Sequence, residues 1–221
     1  MKLIIFIHTC KLYEETRAKL LENTWAKNNI DIVFITDNEN CKLNNYIYIG
    51  NYNYGATYHP INIKKMFYIF MDKYANYDYF MIIDDDSYLY LDKLKQYLSY
   101  FNKDKPYMIG DFLNWTDYQD GYNFSGNYNF WVGGGPGIVF TKSCINEFIN
   151  LYNTNNTDIM NHDVWLHHLY TLSNYKIKRV HCPAFHQYNG EELYKHYPLD
   201  SNHLISIHLN HDMNLLNKYH I

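Results

Sequence analysis

Three consecutive carboxylates, Asp84, Asp85 and Asp86, follow directly on the apolar run Tyr79 to Ile83. Side by side they repel one another, and without a cation or strong donors the cluster would raise its own pKa values at a cost in stability. A positive partner is therefore expected beside them. Oxygen-rich sites suit hard divalent ions, and Mg²⁺ or Mn²⁺ held by one or two carboxylates commonly bridges to the phosphates of a substrate. A bare acidic triplet is also what a solvated turn or a helix N-cap carries. Its place behind a hydrophobic strand favours the ion.

The run Gly133-Gly134-Gly135-Pro136-Gly137 lets backbone come close to a ligand. It is neither a phosphate-binding P-loop, because no Gly-Lys-Ser/Thr follows, nor a dinucleotide fingerprint. A plain tight turn fits it equally well. Asp163, beside His162, reads as a helix cap or as a carboxylate with a chemical task. His167 lies four residues on, but a zinc protease would need H-E-x-x-H, which is absent. His186, in Ala184-Phe185-His186, is an imidazole ligand or a core-edge histidine.

The elements that must carry these residues alternate. Lys2 to His8 reads as a strand, Tyr13 to Lys27 as a helix and Ile30 to Thr36 as a second strand. A third extended piece at Tyr46 to Ile49 leads to Gly55. A helix over Ile61 to Tyr74, the strand Tyr79 to Ile83 and a helix marked by Leu91, Leu94, Leu98 and Phe101 follow. The acidic run thus sits at a strand's C-terminal end, the edge at which open α/β sheets bind ligands. Further on come a strand at Tyr107 to Gly110, a polar-aromatic loop from Phe112 to Asn127, and two extended stretches around the glycines. Helices at about Ser143 to Tyr152 and Val164 to Leu172 complete the pattern. The His- and Asn-rich end from Tyr188 shows no clear period.

With 221 residues, 47% hydrophobic and 19% charged, the chain can fill a core, and disorder or a collagen-like repeat is excluded. A net charge of −4 gives no electrostatic support to a nucleic-acid partner or an anionic membrane surface. The skew to 28 Asn and 17 Lys against 5 Ala and 2 Arg follows AT-rich codons. Leu3 to Ile7 is far too short to span a bilayer and no signal-like stretch follows, so the expectation is a cytoplasmic chain with no membrane anchor. Cys10, Cys41, Cys144 and Cys182 form no C-x-x-C and are expected as free thiols.

Taken in order, His8-Thr9, Arg17, Thr24-Trp25, Phe34-Ile35-Thr36-Asp37, Lys64-Lys65, Asp84-Asp85-Asp86-Ser87-Tyr88, Gly134-Gly135-Pro136-Gly137, Asp163-Val164-Trp165 and Phe185-His186 resemble the Fringe-like and β1,3-galactosyltransferase family of inverting glycosyltransferases. The similarity covers about residues 1 to 190. The resemblance implies an α/β, Rossmann-like GT-A domain with a mixed central sheet flanked by helices. It also implies a UDP-sugar donor, Mn²⁺ or Mg²⁺, and transfer to a glycan or glycoprotein acceptor with a β1,3-type linkage. Carried over, Asp86 and His186 would hold the metal, Asp84 would contact the donor's ribose or sugar, and Asp85 would support them. Asp163 would be the base. Thr9, Arg17, Asp37 and Lys64 would lie on the donor side, and Gly134 and Gly135 would wall the donor-sugar and acceptor pocket.

Two departures stand out. His162 replaces the acid usual before the base, and Pro136 replaces a more usual alanine. A single domain over 1–221 is expected, with a nucleotide-binding half to about 110, an acceptor and catalytic half to about 190, and an unassigned end from 191. Two other functions stay open: an inactive sugar-nucleotide or carbohydrate-binding module, and a Mg²⁺-dependent nucleotidyltransferase using the same acids.

Overall fold

The computed structural model describes residues 1–50, 60–114, 130–155, 162–187 and 203–219. Gly55, the loop from 115 to 129 and the start of the His- and Asn-rich end lie outside them. The chain opens with β1 (Leu3–His8), a π-helical turn over Glu14–Ala18 and α1 (Lys19–Asn23), then β2 (Ile32–Thr36) and β3 (Tyr46–Tyr48). It continues through α2 (Pro60–Lys73), β4 (Tyr79–Asp84), β5 (Ser87–Leu89), α3 (Leu91–Leu98), β6 (Tyr107–Gly110) and β7 (Phe112–Asn114). Then come β8 (Phe130–Val132), β9 (Ile138–Thr141), α4 (Lys142–Thr154), α5 (His162–Leu172), β10 (Lys178–His181), β11 (Phe185–His186) and β12 (Ser206–His208).

Seven strands form a mixed sheet in the order β10-β6-β9-β4-β1-β2-β3, in which β9 runs antiparallel to both neighbours. The expected α/β architecture, a mixed sheet flanked by helices, is what the chain adopts. The strands β1, β2 and β4 are buried at every position, as near-continuous apolar runs must be when helices cover both faces of a parallel sheet. On one face, Phe80 and Phe140 meet Phe67 of α2 at 6.1 and 5.2 Å, and Phe148 of α4 joins them. Each such ring contributes about 1.5–3 kcal/mol by leaving water. Pro60 opens α2, where its missing N–H costs nothing. Thr141 caps α4 by accepting from the Cys144 N–H.

The differences from expectation lie at the first helix, around the acids and at Phe112–Asn114, where the stretch expected as a loop opens as the strand β7 paired with β8. The helix after β1 ends at Asn23 rather than Lys27, and its first turn is π-helical. The chain also turns back after the acids into β5, which joins β11 and β12 in a small three-stranded sheet. The four cysteines are free and buried. Among the described residues, no helix is long and apolar enough to cross a membrane.

Candidate active site

The parallel register of β1 and β4 sets His8 beside Asp84, the last residue of its strand. Asp85 and Asp86 form the turn, and β5 starts at Ser87, which binds back to the glycine run: Ser87 Oγ donates to the Gly135 carbonyl at 2.7 Å, and the Asp84 N–H reaches the same oxygen at 3.2 Å. The acidic turn and the glycine turn are therefore one structure.

The acids find a positive partner in Arg17, with further polar groups around them. Arg17, from the π-helical turn, places Nη1 at 3.3 Å from both Asp85 Oδ1 and Asp86 Oδ2, with its guanidinium 3.6 Å over the Tyr13 ring. Thr9 Oγ1 donates to Asp85 Oδ2 at 2.6 Å. His208 Nε2 lies 3.1 Å from Asp86 Oδ1, and His211 approaches Asp86 Oδ2 at 2.6 Å through Nδ1 and at 3.0 Å through its backbone N–H.

The three carboxyls titrate apart. Burial, reinforced by the charge of Asp86, drives the Asp84 pKa well above the usual carboxylate value. Burial also pushes Asp85 up, to about 7, against the Thr9 hydroxyl and Arg17. For Asp86 burial acts in the same direction, but the hydrogen bond and charge of His208, with Arg17 and His211, overcome it and hold the group near 2.

Asp84, Asp86 and His208 each offer a ligand atom, and those atoms lie within 4.8 Å of one another. Two carboxylates and an imidazole suit a divalent ion such as Mn²⁺ better than the harder Mg²⁺, which favours oxygen ligands alone. His186, the ligand expected from the sequence, lies on the strand paired with that of His208. It is buried on β11, in register with Ile207, and among the described residues it is not part of that group. His208 lies in the segment that carries no readable period. The signal that could have found it is the alternation Ile205-Ser206-Ile207-His208, a strand pattern four residues long with an imidazole at its end.

At the start of α5, His162 Nε2 meets Asp163 Oδ1 at 2.7 Å. Burial opposes a charge on His162, yet the Asp163 carboxylate, with Asp84 behind it, raises the imidazole pKa above its usual value. His8 goes the other way: burial, then the charge of His162, takes it down to about 3. Gly134 lies against this pair, since a β-carbon there would come within 2.5 Å of His162 Nε2 and 2.7 Å of Asp163 Oδ1.

The remaining donor-side residues are dispersed. Asp37 accepts from the Lys11 N–H at 2.6 Å in the loop after β1. Lys64 lies in the helical layer, its ammonium 5.1 Å over Tyr152 and 5.5 Å over Trp165, and among the described residues it shares no contact with the acidic turn.

A seven-stranded mixed sheet with an acidic turn, a glycine turn and an imidazole meeting at its strand tips marks an α/β ligand-binding domain. The Fringe-like family model matches residues 1–220. The chain belongs to the Fringe-like family. A mouse beta-1,3-glucosyltransferase is 24% identical over 197 residues, covering 84% of this chain and 36% of that protein. Mouse chondroitin sulfate synthase 3 is 33% identical over 88 residues, 39% of this chain and 10% of that protein. The chain thus spans about a third of the one and a tenth of the other. A glycosyltransferase involved in glycosylation of the major capsid of PBCV-1 superposes with a TM-score of 0.49 at 12% identity, covering 94% of each chain. The galactosyltransferase LgtC, solved with donor and acceptor sugar analogues, reaches 0.48 at 11%, covering 94% of this chain and 86% of its own.

Proposed function

We propose that this chain is a metal-dependent, inverting glycosyltransferase that moves a hexose or N-acetylhexosamine from a UDP-sugar to a hydroxyl of a glycan or glycoprotein, forming a β1,3-type linkage. Family membership supports the class of reaction. One geometric observation supports the mechanism: Gly134 lies against Asp163 and Gly135 against the ring of His208, so one peptide unit separates the residues assigned as base and metal ligand.

Asp84, Asp86 and His208 would hold the ion, which when bound stabilises negative charge developing on the departing diphosphate. Asp85, braced by Thr9 and Arg17, fixes the acidic turn. Asp163 takes the proton from the acceptor hydroxyl as that oxygen attacks the anomeric carbon, and a positioned carboxylate contributes about 10²–10⁴-fold in rate. His162, its Nε2 2.7 Å from Asp163 Oδ1, holds that oxygen in place and leaves the second carboxylate oxygen for that proton. Residues up to about 110 serve the nucleotide and those beyond serve the acceptor. A single displacement inverts the configuration.

The test is transfer from a panel of UDP-sugars with Mn²⁺, compared with the same reaction after chelation. UDP release that depends on the ion is expected. Turnover that survives chelation, or pyrophosphate released in place of UDP, refutes the reading.

A further inference from the structure

An open cleft of about 630 Å³ follows the outer edge of the main sheet, away from the acidic turn. Its walls are Phe112, Tyr170, Tyr175, Lys178, Arg179 and His181. Arg179 is one of only two arginines in the chain, the other being committed to the acids. Its guanidinium carbon lies 4.2 Å over the Tyr170 ring and 5.4 Å from that of Phe112. Nη1 meets His167 Nδ1 at 3.4 Å, and burial, then the charge of Arg179, takes that imidazole down to about 4, so it is neutral at pH 7. Among the described residues, neither Lys178 nor Arg179 pairs with a carboxylate, although the chain as a whole carries −4.

His181 adds a donor. The Phe112 N–H donates to its Nδ1 at 3.1 Å, while the same nitrogen is 3.7 Å from Asp111 Oδ1, outside hydrogen-bonding range. The ring is therefore neutral with its proton on Nε2. Tyr175, 78% exposed, supplies an open aromatic face. Such faces take the apolar side of a pyranose, and a planar guanidinium flanked by rings keeps its edge for bidentate recognition of an oxyanion.

The residue before Phe112 is linked by contacts to the candidate active site. Asp111 follows β6 and accepts from the Gln187 N–H at 3.4 Å, and Gln187 Nε2 lies 3.2 Å from His208 Nδ1. Since β6 and β10 are parallel to β4, the end of the cleft at Phe112 and His181 opens at the same edge of the sheet as Asp84.

We propose that this cleft is an acceptor subsite for an acidic saccharide, with Arg179 and the Nε2–H of His181, two residues on and on the same face of β10, holding a carboxylate or sulfate on a sugar ring and Tyr175 stacking on its neighbour. Its role as an acceptor subsite rests on the glycosyltransferase reading; the binding itself does not. Titration calorimetry of the whole chain, without donor, tests it with four probes. They are a trisaccharide ending in a uronic acid, its neutral methyl ester, the matching sulfate ester, and inorganic sulfate. An acidic trisaccharide is expected to bind at least tenfold more tightly than the methyl ester, and the tighter of the two acids identifies the oxyanion. Arg179→Gln is expected to erase that preference while leaving the methyl ester unchanged. Should Arg179→Gln fail to fold, His181→Ala, at an exposed position on the same face of β10, is expected to reduce the preference about threefold. Equal binding of acid and ester, a preference untouched by both substitutions, or inorganic sulfate binding as tightly as the saccharide overturns the proposal. Because no donor is present, a chain that binds the saccharide yet transfers no sugar sinks the proposed function and leaves this site standing.

Discussion

Gly135 lies directly under the imidazole of His208: a β-carbon at that glycine would stand 2.7 Å from both Cγ and Nδ1 of the ring. No real β-carbon tolerates that distance, so Gly135→Ala must push His208 away from Asp86. The expected result is a loss of at least tenfold in Mn²⁺-dependent UDP affinity, with secondary structure by circular dichroism unchanged. Wild-type affinity in the alanine variant would show that the ring has room to move.

Two histidines can be separated by one experiment. His208→Ala is expected to abolish the thermal stabilisation that Mn²⁺ and UDP confer, about 2.7 kcal/mol at a hundredfold excess over Kd. His186→Ala, which alters a residue outside the ligand group, is expected to retain it. The reverse outcome would return the metal role to His186.

For Asp163→Asn, turnover is expected to fall by about 10²–10⁴-fold while UDP binding stays within twofold. The amide keeps the shape and the contact to His162 but accepts no proton. A variant within tenfold of the parent would remove Asp163 as the base.

Glu14 sets the acid limit of the first loop. It is buried and accepts from Asn38 Nδ2 at 2.5 Å and from the Lys42 N–H at 2.8 Å. Burial alone would raise its pKa, but these donors outweigh it and bring the group below its usual 4.5. A carboxylate with a lowered folded pKa stabilises the protein above its unfolded value, and that contribution is lost as pH falls through the folded one. Glu14→Gln should therefore cost about 1.5–3 kcal/mol at pH 7, and urea titrations should show the gap closing as pH falls below the usual carboxylate range. A gap independent of pH would mean that the carboxylate charge is not what matters.

Among the described residues, removing Arg17 leaves Asp85 with only the Thr9 hydroxyl, while Asp86 keeps His208 and His211. The side chains of Arg17, Asp85 and Asp86 are almost wholly buried, and breaking such a pair from one side typically costs about 3–5 kcal/mol. Arg17→Met is expected to lose that much in chemical denaturation, with part recovered in Asp85→Asn/Arg17→Met. No recovery in the double variant would show that the loss comes from packing against Tyr13.

The acids are legible in the amino-acid sequence because of the strand that carries them. The run Tyr79 to Ile83 is apolar throughout since both faces of β4 are covered, and its polar end marks the sheet edge. Their need of a cation is equally legible, following from electrostatics alone. The identity of that cation is not, since Arg17 reaches the turn through tertiary packing of a π-helical segment. His208 is hidden for a different reason: β12 is three residues long, and so short an alternation is easily passed over in a segment with no other period. Lys64, expected on the donor side from its order along the chain, is placed by its helix with its ammonium over Tyr152 and Trp165, a contact that order alone does not reveal.

The strand β12 is held between β11 and β5 in a sheet separate from the seven-stranded core. Peeling that small sheet open would withdraw His208 while Asp84 stays fixed at the tip of β4, and such local openings need far less free energy than global unfolding. On the proposed reading, the residence time of an ion held there would be set by the breathing of three short strands, while the tip of β4 keeps its place in the larger sheet.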